Sequence, residues 1–162
     1  MWNFFEKLCH EGHRSEPGAE TESQEGEALY DRIWSSLEGK GICNERGCPE
    51  GLTHGERLFY VTRVVEDEVR ECGFFGLCYN RHAHLLEPAV RYFRELGAVR
   101  RADIVERARR VLEGIESPCC EHATEEDEAK IDALQTEYQS LDENYEAMLL
   151  GYVESHPEEF PA

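Results

Sequence analysis

Apolar residues recur every three or four positions along most of this chain, and nowhere do apolar and polar residues alternate over a sustained stretch. A half-buried strand needs period two, whereas an amphipathic helix needs period 3.6. The pattern therefore predicts an all-α fold of about six helices and no substantial sheet. From Glu27, EALYDRIWSSLEG places Leu29, Ile33, Trp34 and Leu37 near one face, with Gly39 as a stop. A loop containing glycine and proline follows. Thr53 and Glu56 then have capping-box spacing, opening a helix through LFYVTRVVEDEV with Leu58, Val61, Val65 and Val69 on one face. Gly73 is expected to end or bend it, and the short segment FFGLCYN comes next. Pro88 suits the first turn of AVRYFRELG, which Gly97 closes. Residues 102–112 turn Ile104, Val105, Ala108, Val111 and Leu112 inward, and Ser117-Pro118 breaks the chain. Two further helical stretches follow Thr124, at residues 125–139 and 142–156.

The 162 residues suit a single compact domain that buries a core without staples. Residues 10–26 contain no large apolar residue and read as a flexible linker. The boundaries that follow are an N-terminal stub and acidic linker at 1–26 and a helical domain at 27–162. In the stub, Trp2, Phe4, Phe5 and Leu8 form an apolar cluster, expected to dock on its own domain or on a twin. Membrane attachment is the weaker alternative, since the stub lacks a basic polar face. No stretch approaches the roughly 18–20 apolar residues of a membrane span. The first residues lack the features of a secretory signal, so a cytoplasmic location is the default expectation. Seven cysteines, an odd number, fit thiols in a reducing compartment better than a disulfide scaffold.

A formal charge of −18 is unevenly spread. Residues 1–50 carry 11 acidic and 5 basic side chains, and residues 51–120 carry 11 of each. Residues 121–162 carry 13 acidic side chains against Lys130 alone. Two thirds of the excess therefore lies in the last quarter of the chain. Such a surface repels nucleic acid and anionic membranes and attracts basic partners.

Residues 52–114 contain LTHGERLFYVTRVVEDEV, CGFFGLCYN, AVRYFRELGA and a helix ending VLEG. This block, with the ending LDENYEAMLLGYVESHPEEF, resembles the bacterial family named after DNA mimic protein 19, otherwise a domain of unknown function. Glu68, Val69, Gly73, Phe74, Asn80, Gly97 and Ala98 match the family pattern. Glu71 and Cys72 stand where Asn and Gly are usual, and Gly76 where Gln is usual. If polar residues of that turn carry a shared activity, these departures remove it; if the turn only joins two helices, they cost little. The resemblance implies an all-α fold and a dimer. It also implies, from the named member, an acidic surface that imitates the phosphate backbone and captures a DNA-binding protein.

Neighbours three or four apart on a helix lie about 5–6 Å apart at Cβ, so an acidic helical stripe can approximate a phosphate row. Glu121, Glu125, Glu128 and Asp132 fall within roughly 60° on a helical wheel, and Ile131, Leu134, Tyr138 and Leu141 cluster roughly 130° away. Glu121 is the weakest member, because the helix is expected to begin only after Thr124. Asp142, Glu143 and Glu146 extend the candidate partner-binding surface. Competing with that reading is an ordinary solvated face, in which Glu125, Glu126 and Asp127 serve the helix dipole. Arg100, Arg101, Arg107, Arg109 and Arg110 either form a solvated face themselves or pair with the acidic tail.

Cys43, Cys48, Cys119, Cys120 and His122 could supply soft ligands, but structural zinc sites show tighter paired spacing. Cys9, His10 and His13 are a weaker cluster, and His82 and His84 are read as solvent or capping residues. Cys72 and Cys78 flank Gly73 without the orienting partners a nucleophile needs. Glu68 is expected to hydrogen-bond the Gly73 turn. No cofactor, metal or catalytic residue is assigned, since phosphate-loop, dinucleotide and metalloprotease motifs are missing. The expectation is a protein-binding module directed at a basic protein, with no direct nucleic-acid binding. The rivals are an immunity-like or regulatory adaptor with a partner that does not bind DNA, and a thiol- or metal-dependent enzyme around Cys43, Cys48, Cys72, Cys119 and Cys120.

Overall fold

A computed structural model describes residues 20–40, 51–115 and 122–161. Among them are six α-helices and no strand: α1 (Glu20–Gly39), α2 (His54–Tyr79), α3 (Leu86–Glu95), α4 (Val99–Glu113), α5 (Glu125–Gln139) and α6 (Tyr145–Ser155). Short 3₁₀ turns at Ala83–Leu85 and Pro157–Glu159 complete the described elements. The all-α expectation holds. No helix among the described residues is long and apolar enough to cross a membrane.

Helix α2 is central, packing against α1, α3 and α5. Its N-terminus is fixed by the predicted capping box: the Thr53 hydroxyl accepts from the Glu56 amide at 3.1 Å, and the Glu56 carboxylate accepts from the Thr53 amide at 3.0 Å. The same carboxylate pairs with Lys40 at 2.5 Å, tying the end of α1 to the start of α2. Leu58, Val65, Val69, Phe74 and Leu77 are fully buried along α2. Gly73, at φ 73° and ψ 176°, kinks the helix rather than ending it, and the segment expected as FFGLCYN becomes its last turns. That conformation belongs almost solely to glycine.

Three boundaries differ from the sequence pattern, one of them α6, which begins at Tyr145 rather than residue 142 because the Asn144 side chain caps it by accepting from the Ala147 amide at 3.1 Å. Helix α1 begins at Glu20, inside the stretch read as linker. Glutamates suit a first turn, and Gly26 is buried where a Cβ would lie 3.0 Å from Leu150, so its missing side chain lets α6 approach. Helix α4 begins at Val99 rather than residue 102, because Glu143 reaches across to cap it. The stub at Trp2, Phe4, Phe5 and Leu8 and residues 10–19 lie outside the described residues.

Candidate partner-binding surface

Thr124 caps α5 as a second capping box. Its hydroxyl accepts from the Asp127 amide at 3.2 Å, while the Asp127 carboxylate accepts from the Thr124 amide at 3.2 Å and from its hydroxyl at 2.7 Å. Those Thr124 bonds lower the Asp127 pKa, so this acid serves the helix end. Ile131, Leu134 and Tyr138 are buried against the rest of the fold. That anchoring turns Glu125, Glu128 and Asp132 outward, all three exposed and without an ion pair among the described residues. Glu126 differs, since Lys130 holds it at 2.7 Å. Glu121 lies outside the described residues.

The rest of the candidate acidic surface is largely neutralised. Arg100 holds Asp142 at 2.5 Å, Arg107 holds Glu137 at 2.9 Å, and Arg63 stands 3.9 Å from Glu146. Glu143 is withdrawn from the surface: its carboxylate accepts the Arg100 and Arg101 amides at 3.0 and 3.1 Å, where α4 needs acceptors for unsatisfied N–H groups. The charge-balanced middle of the chain thus lends its arginines to the acidic end. Arg109 and Arg110 instead clasp Glu106, whose carboxyl they hold down to about 2, chiefly through the Arg109 hydrogen bonds.

Arg101 departs most from its expected place. It is buried, donating to the Glu66 carboxylate at 2.8 Å and to the Glu143 carbonyl at 3.0 Å. Its guanidinium lies 5.0 Å from the Tyr138 ring centroid and 5.6 Å from that of Tyr145. The Tyr138 hydroxyl donates to the same Glu66 oxygen at 2.5 Å, and the Tyr145 hydroxyl donates to Thr62 at 3.0 Å. Burial first, then the Glu66 carboxylate, pushes the Tyr138 phenol well above its ordinary range and keeps it a donor. This buried ionic centre joins α2, α4, α5 and α6. The buried role of Thr62 and Glu66 was not read from the sequence, although they stand four and eight residues after Leu58, on or beside the apolar stripe. A polar residue in that register was the available signal.

The family-pattern turn also serves the fold. Phe74 is fully buried, edge-on to Tyr138 at 5.7 Å. Glu68 bridges the kink, accepting from Asn80 at 2.7 Å with His82 Nδ1 at 3.0 Å. It reaches the far end of α2 rather than the Gly73 turn. The kink itself is braced from α5, where Gln135 donates to the Val69 carbonyl at 2.6 Å. Gly97, at φ 82°, turns the chain between α3 and α4, and Ala98 is fully buried.

Cys72 is exposed and Cys78 buried, while Cys9, Cys43, Cys48, Cys119, Cys120, His10 and His13 lie outside the described residues. Among the described residues no three His, Cys, Asp or Glu side chains are grouped to hold a metal.

These features define an acidic all-α protein whose helices join through a buried arginine–glutamate–tyrosine centre, with Glu125, Glu128 and Asp132 exposed and without an ion pair, among the described residues, on the outer face of α5. Residues 50–156 match the family model described as DMP19-like protein, and the chain belongs to that family. Comparison with curated proteins and with solved structures gave no match.

Proposed function

We propose that this protein acts by binding, offering the outer face of α5 to a basic protein. In its sharpest form, that partner is a DNA-binding protein captured by imitation of a phosphate row. The observation that carries this reading is selective neutralisation. Intramolecular arginines occupy Glu137, Asp142, Glu143 and Glu146, while Glu125, Glu128 and Asp132 keep their charge. Unpaired exposed carboxylates are the ones that can steer and hold a basic surface.

Charge density limits what α5 does alone. Its three carboxylates span about 10.5 Å at 1.5 Å per residue, where duplex DNA carries about six phosphates. A second copy in a dimer, as the family resemblance implies, would supply a further acidic row. The rival adaptor reading uses the same face with a basic partner that does not bind DNA. A cytoplasmic location fits both.

The test is capture from lysate by the intact protein at low and high salt, with duplex DNA as competitor. The expected result is recovery of DNA-binding proteins that salt and DNA both release. The triple variant Glu125→Lys, Glu128→Lys, Asp132→Lys should lose them while its melting temperature barely moves. Recovery of basic proteins that DNA does not displace would favour the adaptor. Recovery of nothing basic, or an unchanged set with the triple variant, overturns the proposal.

A further inference from the structure

Between α1 and the end of the described chain lies a cavity of about 300 Å³. Leu29 and Ile33 of α1 form one wall, and Val153, Pro157 and Phe160 form the other. Arg32 and Glu154 stand at this groove, both exposed and neither in an ion pair among the described residues. An apolar cavity of about 150 Å³ accommodates benzene, so this one has room for two aromatic side chains.

The nineteen residues before Glu20 contain matching chemistry. Met1, Trp2, Phe4, Phe5 and Leu8 are their large apolar residues, and Glu6 and Lys7 between them offer one charge of each sign. From residue 9 to residue 19 no large apolar side chain occurs, which leaves eleven residues of chain length between that cluster and α1. At about 3.3 Å per residue, eleven residues can span up to roughly 36 Å. Leu29 and Ile33 lie only about 13 and 20 Å along α1 from Glu20 at 1.5 Å per residue. A chain folding back along its own helix therefore reaches the groove with slack.

We propose that residues 2–8 of this chain dock in the groove between α1 and the Pro157–Phe160 tail, placing aromatic rings against Leu29, Ile33 and Phe160. Glu6 and Lys7 then face Arg32 and Glu154. Docking covers apolar surface on both sides and ties the N-terminus to the C-terminal tail. The groove is distinct from the outer face of α5, so this inference stands apart from the proposed partner binding.

The chain holds two tryptophans, Trp2 and Trp34. In the full-length Trp34→Phe variant, Trp2 alone reports. Its emission should lie at shorter wavelength than in a free peptide of residues 1–13, and acrylamide should quench it severalfold less. Leu29→Lys and Ser36→Leu, which charge and fill the groove, should each return Trp2 to peptide-like emission; circular dichroism confirms that the helices remain. Peptide-like emission in the Trp34→Phe protein overturns the proposal, as does shielding that both groove variants leave intact. Shielding that disappears on dilution overturns it in favour of a second copy's segment.

Discussion

Replacing Arg101 with methionine should cost this protein about 3–4 kcal/mol at pH 7. Methionine retains most of the aliphatic stem between the Tyr138 and Tyr145 rings, so the change isolates the guanidinium. The Glu66 side chain, 3% exposed, would keep Tyr138 as its close donor, with Arg70 at 3.9 Å. Removing one member of a buried ion pair typically costs 3–5 kcal/mol, because the other charge is left uncompensated. For a chain this long, about 3–4 kcal/mol at pH 7 corresponds to a fall in Tm of roughly 10 °C. Urea unfolding of Arg101→Met, Glu66→Gln and the double variant at pH 7 measures it. In the Glu66→Gln background, Arg101→Met should cost much less. A loss under about 1 kcal/mol at pH 7, or an equal loss in both backgrounds, would refute the view that the pair is buried and coupled.

Three further outcomes are expected. Gly73→Ala should cost about 1–3 kcal/mol, since φ 73° and ψ 176° suit almost no residue but glycine; thermal unfolding checks it, and a neutral result would mean α2 straightens without loss. Gly55→Ala should loosen the C-terminal tail, because the new Cβ would fall 2.7 Å from a Glu159 carboxylate oxygen and 2.9 Å from the Phe160 ring; faster carboxypeptidase release of the tail reads this out. Glu106→Gln should lose about 1 kcal/mol at pH 7, the scale of surface ion pairs. Its carboxyl is held down to about 2 by Arg109 and Arg110, so the wild-type advantage is full above the ordinary value near 4.5 and fades as pH falls toward 2. Urea unfolding from pH 7 to pH 3 should show the difference narrowing, and a constant difference would count against the assignment.

Much of the fold was legible because helical periodicity and capping are local. Thr53 with Glu56 marked the start of α2, Thr124 the start of α5, and the stripes of Leu58, Val65 and Val69 became core. The family pattern was legible too, and the family match bears it out. The role of its turn was not. Gly73 could be read as a stop or a bend, and only the bond from Gln135 to the Val69 carbonyl, between residues 66 apart in sequence, explains why a bend is stable.

By itself the sequence determined the helices, the apolar face of each, the family and the total excess of charge. The tertiary structure alone decided which charges remain available. Helix periodicity says that Asp142 and Glu128 can both face water, but not that Arg100 stands beside one and no cation beside the other among the described residues. It could not place Arg101 in the core while neighbouring arginines stay at the surface. Coulomb attraction depends on distance in space, and packing sets those distances between helices far apart in the chain. An acidic tail in the sequence thus became, in three dimensions, a mixture of paired carboxylates and exposed ones such as those on the outer face of α5, with an ionic centre beneath.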